Sequence, residues 1–283
     1  MRYAGREEYY NALPMGLFSR DAKREDELPM RRADLETLLE DLAAGAKYQQ
    51  ALLPQVTPAV PGYDFATYYR PARTVSGDFF DLRPLADGRL GMVIADASGK
   101  SIPAALVAMM CHLLFRVQPE PDAPPARVLA NVNRLLSGNI KRGTFVSAIY
   151  AWLDPAAHLL TVANAGHLPV VVWHSKAKVA TTHRPPGPVL GVLAADAYEG
   201  AVQPEAIPLD PGDRFVLITD GVNEAMAPGQ REFGMEHLRR QLKAESDAPS
   251  AQFLRGITEK IELHRGGGDA SDDITIVTGR RLA

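Results

Sequence analysis

Two strand-length runs, residues 79–85 and 90–95, flank the dipeptide Asp87-Gly88. Asp-Gly supplies the positive φ values of a tight two-residue turn, so the runs read as an antiparallel hairpin. The pattern recurs. Residues 144–153 and 159–163 lie either side of Asp154-Pro155, and 170–173 follows. Residues 63–69, 214–219 and 274–278 read as further strands. Helical periodicity comes in pairs between them. Residues 102–115, with Pro103 in the first turn, precede 126–140, whose inner stripe is Val128, Leu129, Val132, Leu135 and Leu136. Residues 233–243 and 251–264 form a later pair. The proline-rich stretches 117–125 and 181–189 and the glycine stretch 266–269 read as loops. Hairpins alternating with helix pairs predict an α+β fold of mostly antiparallel sheets covered by helices, not a doubly wound βαβ sheet.

The N-terminal part reads differently. Residues 1–28 are polar and mixed, with Pro14 and Pro29 as breakers, and suit a loosely packed arm. Residues 30–53 read as a helix ended by Pro54. Leu35, Leu38, Leu39 and Leu42 share one face, and Leu52 and Leu53 rejoin it after Gly45, Ala46 and Gln49. That stripe serves either as a dimer seam or as packing on the chain's own core. The expected division is a 1–53 arm and regulatory helix followed by one large domain, 54–283.

Charge narrows the function classes. The formal net charge is -3, so no global basic field exists to hold a nucleic-acid backbone or an anionic membrane. The one cysteine, Cys111, lies in an apolar run and reads as a buried, inert thiol, which fits a reducing cytoplasm. The first ten residues lack the apolar stretch of a signal peptide. The longest apolar stretch, 102–115, is too short to span a bilayer.

Aspartates stand at strand ends. Asp96 closes 90–95, Asp220 closes 214–219 ahead of Gly221, and Asp272 and Asp273 open the last strand. Asp78 follows Gly77 just before a strand, with Asp81 three residues on. The sheet holds such carboxylates rigidly and faces them to solvent at one rim. With no clustered His or Cys, they suit hard cations such as Mg²⁺ or Mn²⁺. Taken one at a time, each also suits a turn cap.

The chain from about Leu52 to Arg280 resembles the bacterial PP2C-type serine/threonine phosphatases of the SpoIIE/RsbU class. The resemblance rests on QQALLP at 49–54, SGDFFD at 76–81, IADASGK at 94–100 with PAAL at 103–106, and NAGH at 164–167. It continues through Leu190-Gly191, PGD at 211–213, TDGV at 219–222, Phe233-Gly234 and DDIT at 272–275, all in the family's order. It implies a four-layer α/β/β/α sandwich with a two-metal centre at one rim. Asp96 matches the aspartate that bridges both ions, with the Ala97 carbonyl as a further ligand. Asp220 and Asp272 match the other direct carboxylates, and Asp78 the N-terminal acidic member. Asp273, adjacent to a ligand position, is not separated from Asp272 by sequence. His167 is implied to order a turn.

The implied chemistry uses two Mn²⁺ or Mg²⁺ ions about 3.5–4 Å apart that acidify a bridging water for in-line attack on phosphorus. Arg73, five residues before Asp78, is a possible phosphate contact. Ser98 stands where eukaryotic relatives carry a histidine, which leaves water to protonate the leaving group. The implied substrate is a phosphorylated STAS-domain anti-anti-sigma protein in a partner-switching pathway. An activating partner or self-dimer would act through the 30–53 helix and move the helices at 102–115 and 126–140 relative to the metal loop.

Rival readings are a PP2C-like binding or sensor module without strong catalysis, and a phosphomonoesterase acting on a small molecule. A P-loop is excluded because Ile94 stands where Gly99-Lys100-Ser101 would need a glycine. The seven histidines show no zinc-hydrolase spacing.

Overall fold

The computed structural model describes residues 32–118, 120 and 123–283, so the expected arm at 1–28 and the first residues of the expected 30–53 helix lie outside the described residues. The chain divides into two compact units, one ending at Asp41 and the other Leu42–Ala283. The boundary falls inside the first helix, α1 (Arg32–Leu52). In the first unit, Leu35, Leu38 and Leu39 are exposed.

The second unit is built from β1 (Tyr63–Arg70), β2 (Asp78–Pro84), β3 (Leu90–Ala97), α2 (Ile102–Arg116), α3 (Pro125–Leu136), β4 (Val146–Asp154), β5 (Leu159–Ala165) and β6 (Val170–His174). It continues with β7 (Val179–His183), α4 (Ala195–Glu199), β8 (Glu205–Pro208), β9 (Arg214–Ile218), α5 (Asp220–Asn223), α6 (Gly234–Glu245), α7 (Ser250–Arg265) and β10 (Ile274–Arg281).

The strands form two five-stranded sheets, ordered β1-β10-β9-β6-β7 and β2-β3-β4-β5-β8. Neighbouring strands are antiparallel throughout. Helices α6 and α7 pack on the first sheet, α2 and α3 on the second. This is the expected α/β/β/α sandwich. Strand β9 shows why the layers stack. Its side chains alternate in direction, and both directions are buried. Phe215 and Leu217 join the core that includes Phe79 and Leu90 of the second sheet. Val216 and Ile218 join the core under α6 and α7 with Leu238, Phe253 and Ile257. A strand covered on both faces reads as a continuous apolar run, as 215–218 does.

The 79–85/90–95 hairpin forms, pairing Asp78 with Asp96 at its open end, but its turn is wider than two residues. The Leu85 N–H donates to the Arg89 carbonyl, the Gly88 N–H donates to the Leu85 carbonyl, and only Gly88 of the Asp-Gly pair has a positive φ. Three other expectations are corrected. Helix α3 ends at Leu136 rather than residue 140, because Gly138 weakens propagation and Ile140 turns back onto the core. Leu135 is exposed. Asn133 takes an inner position instead, donating to the Leu193 carbonyl and accepting the Gly191 N–H. The stretch at 181–189 is not all loop, since Val179–His183 forms edge strand β7 against β6. Cys111 is buried, and that burial pushes its thiol pKa up. Among the described residues, no helix is long and apolar enough to cross a membrane.

Candidate metal centre

Three of the strand-end aspartates meet at one rim, where β3 of the second sheet and β9 of the first sheet end and β10 begins. Asp96, Asp220 and Asp272 line one cleft of about 410 Å³, with Glu224, Lys100, Arg184, Ser98, Ser147 and His167 also on its walls. One oxygen each from Asp220, Glu224 and Asp272 lies within 4.8 Å of the others.

Two glycines permit this convergence. A Cβ on Gly221 would lie 2.0 Å from the Asp273 carbonyl oxygen, so only glycine lets the turn after Asp220 pack on the backbone of Asp273. A Cβ on Gly77 would crowd the carbonyls of Ala97 and Gly99 at 3.0 and 3.3 Å. The Ala97 N–H donates to the Gly77 carbonyl, which ties the two loops together.

The carboxylates repel one another. Asp96 is pushed up to about 8, first by burial and then by the charges of Asp220 and Asp272. Asp220 is pushed up to about 6 by burial, then by Asp272 and Glu224. Rigid oxygen donors that resist ionising together fit a divalent cation, which supplies the missing positive charge.

Asp78 sits behind this cleft, buried, opposite Asp96 across the hairpin. Burial and then the Asp96 charge raise its pKa well above the carboxylate range. Two hydroxyls oppose that rise: Thr219 and Thr275 of the other sheet each donate to Asp78 Oδ2 at 2.7 Å.

The adjacent pair Asp272 and Asp273 faces two ways. Asp272 lines the cleft, where Lys100 Nζ reaches its Oδ2. Asp273 turns away. Its Oδ1 accepts the Ala72 N–H at 2.7 Å and its Oδ2 accepts the Gly77 N–H at 2.8 Å. Arg73 lies outside the lining of the acidic cleft; it donates Nη1 to the Lys100 carbonyl and lines a neighbouring cleft with Ile102 and Pro103. Asp81 is remote, held by His112 and Arg116.

Both nitrogens of the His167 ring are engaged, with the Ser147 hydroxyl at 2.7 Å and the Ile218 carbonyl at 3.1 Å, so the ring bridges the two sheets. Burial is the main cause that lowers its pKa to about 4. The Asn164 side chain closes the turn by accepting the His167 N–H. Glu224 is the acidic wall residue that the sequence reading missed. Its signal was a spacing of four from Asp220, one helical turn through α5.

A family model described as "Stage II sporulation protein E (SpoIIE)" matches residues 86–282. Phosphoserine phosphatase RsbU of Bacillus subtilis is 31% identical over 244 residues, covering 85% of this chain and 70% of RsbU. Protein IcfG of Synechocystis sp. is 26% identical over 264 residues, and the match spans 84% of this chain but only 41% of IcfG. Among solved structures, the SiaA-PP2C domain of Pseudomonas aeruginosa superposes with a TM-score of 0.76 at 22% identity, covering 88% of this chain and 98% of that domain.

Proposed function

The chain belongs to the SpoIIE family of PP2C-type phosphatases, and from that premise we propose that it hydrolyses phosphoserine or phosphothreonine on a small regulatory protein. The proposed substrate is a phosphorylated STAS-domain anti-anti-sigma protein in a cytoplasmic partner-switching pathway. The observation that carries this reading is the convergence of Asp96, Asp220 and Asp272, from both sheets, on one cleft.

Asp96, Asp220 and Asp272, with the Ala97 carbonyl, are the proposed ligands of two Mn²⁺ or Mg²⁺ ions, and Glu224 adds a fourth carboxylate. When bound, such ions supply an acidified water and neutralise charge on the phosphoryl oxygens. The chain's own residues do the rest. Thr219 and Thr275 fix the Asp78 carboxylate behind Asp96. Asp273 pins the 72–77 loop rather than taking an ion. His167 holds the two sheets in register beneath the cleft.

Residues 54–283 are the proposed catalytic domain, and the helix before it the regulatory element, through a partner or a second copy of the chain. Its last turn supports that route. Gln49 donates Nε2 to the Ser76 carbonyl at 2.7 Å and accepts the Ser76 N–H at 2.9 Å, two residues from Asp78.

The test is Mn²⁺-dependent phosphate release from a phosphorylated STAS protein, comparing wild type with Asp96→Asn. The wild type is expected to turn over and the variant to lose activity while remaining folded. Equal rates would overturn the assignment. Turnover of p-nitrophenyl phosphate but of no phosphoprotein would make the enzyme a small-molecule phosphomonoesterase.

A further inference from the structure

The cleft that holds Asp96, Asp220, Glu224 and Asp272 has two basic side chains on its walls, Lys100 and Arg184. Lys100 is committed to Asp272 and to the Ser271 carbonyl. Arg184 is exposed, and among the described residues no hydrogen bond or ion pair engages its guanidinium. Its charge lies near enough to the buried His167 ring to oppose protonation there, a smaller effect than burial itself.

The backbone that carries Arg184 is held on both sides. The His183 ring binds Glu205 at 2.7 Å and Thr181 at 2.8 Å. Pro185 is buried, the Pro186 carbonyl accepts the Gln203 N–H, and Tyr198 donates its hydroxyl to the Pro188 carbonyl. Two prolines after Arg184 fix their own φ, and the first confines Arg184 to extended backbone. A long cationic side chain thus stands on a rigid stem at the mouth of an acidic cleft, with its fork unspent.

We propose that Arg184 is the phosphate anchor of this enzyme, its guanidinium binding non-bridging oxygens of the phosphoryl group presented in the cleft. The inference rests on the phosphatase reading above. A phosphorylated side chain brings a charge of about -1.5 to -2 toward four carboxylates. Metal ions offset part of that repulsion, and a planar guanidinium adds two parallel charge-assisted hydrogen bonds in the geometry that phosphate accepts. Arg73 differs in that its guanidinium already donates to the Lys100 carbonyl, and it lines the neighbouring cleft.

The test uses the full chain loaded with Mn²⁺ and inorganic phosphate as the probe, titrated calorimetrically. Arg184→Ala is expected to weaken phosphate binding roughly tenfold or more, as loss of a hydrogen-bonded charge partner does. Arg184→Lys should retain part of the affinity. Melting temperature should not move in the Arg184 variants, and Mn²⁺ affinity should not fall. Equal phosphate affinity in wild type and Arg184→Ala overturns the proposal, as does a wild type that binds no phosphate. A loss confined to phosphoprotein turnover, with phosphate binding intact, also overturns it and makes Arg184 a contact for the substrate's protein surface. Mn²⁺-dependent phosphate release by the wild type judges the phosphatase reading separately. Mn²⁺-dependent turnover with an unchanged Arg184→Ala leaves that reading standing and sinks only the anchor.

Discussion

The Lys100 ammonium lies 2.6 Å from the Asp272 carboxylate, inside the cleft where a cation is expected. Lysine is half-exposed at 49% and aspartate nearly covered at 15%. The chain's own cation therefore neutralises a proposed metal ligand. Replacing it should have two effects of opposite sign. Lys100→Met should lower the melting temperature of the metal-free protein, because the cleft carboxylates lose their counter-charge. It should also tighten Mn²⁺ binding, by about fivefold if the half-exposed pair is worth up to ~1 kcal/mol. Thermal melts of the metal-free protein check the first effect, and calorimetric Mn²⁺ titration with and without the substitution checks the second. Weaker Mn²⁺ binding in the variant would mean that Lys100 supports the ion rather than competing with it.

Gln49 joins the last turn of α1 to the loop that carries Asp78. Both polar ends of its amide are used on Ser76, and the Ser76 hydroxyl in turn accepts the Asp78 N–H. Gln49→Ala strands two buried backbone groups, at a cost of about 2 kcal/mol. Urea denaturation should show that loss, and Mn²⁺ affinity should fall with it. Gln50→Ala, one residue on and exposed, should change neither. Unaltered Mn²⁺ affinity in a destabilised Gln49→Ala would separate the helix from the metal centre and remove it as a regulatory route.

These two contacts mark the limit of what the sequence carries. The strands were legible because β9 and β3 are covered on both faces and read as unbroken apolar runs, and the 79–85/90–95 hairpin announced itself through Asp87-Gly88. The strand-end aspartates were legible because sheet ends recur at Asp96, Asp220 and Asp272. Strand β7 was hidden because an edge strand with one neighbour tolerates Thr181 and Thr182 and runs into prolines. Gln49 looked like a break in a leucine stripe, since nothing local says that residue 76 is its partner. Asp272 and Asp273 are indistinguishable by type and spacing. Only the placement of Ala72 and Gly77 decides which of them turns inward.

The like-charged cleft gives the metal-free protein a pH dependence with a definite sign. Asp96 is raised from the ordinary carboxylate range to about 8 by burial and then by Asp220 and Asp272. Between those values the folded state keeps a proton that the unfolded chain has released. Its stability is therefore present below about pH 4 and lost as pH rises through 8. Asp220 follows the same sign but finishes near 6. In the window from pH 6.5 to 8.5, the melting temperature of the chelator-treated protein should fall by a few degrees. Asp96→Asn should flatten that slope. Mn²⁺ binds the deprotonated carboxylates, so its stabilising effect should grow across the same window. A metal-free melting temperature that rises with pH would contradict the arrangement.

Asp272 and Asp273, adjacent in sequence, should fail in different ways. Asp272 faces the cleft and Lys100, so Asp272→Asn removes negative charge where the cation is expected and leaves the backbone untouched. Mn²⁺ affinity should drop by an order of magnitude or more, while urea stability of the metal-free protein changes little or improves as repulsion on Asp96 and Asp220 is relieved. Asp273 instead spends both oxygens on the N–H groups of Ala72 and Gly77. Asp273→Asn puts an NH₂ against one of those donors, which loses a charge-assisted hydrogen bond and sets donor against donor. The expected loss is about 1–3 kcal/mol of stability. Because Gly77 packs against the Ala97 and Gly99 carbonyls, the loosened loop should also blur the metal site, but less than removal of Asp272 does. Paired Mn²⁺ titrations and urea melts of the two variants decide the matter. If Asp273→Asn proved the weaker Mn²⁺ binder and the more stable protein, the two roles assigned here would have to be exchanged.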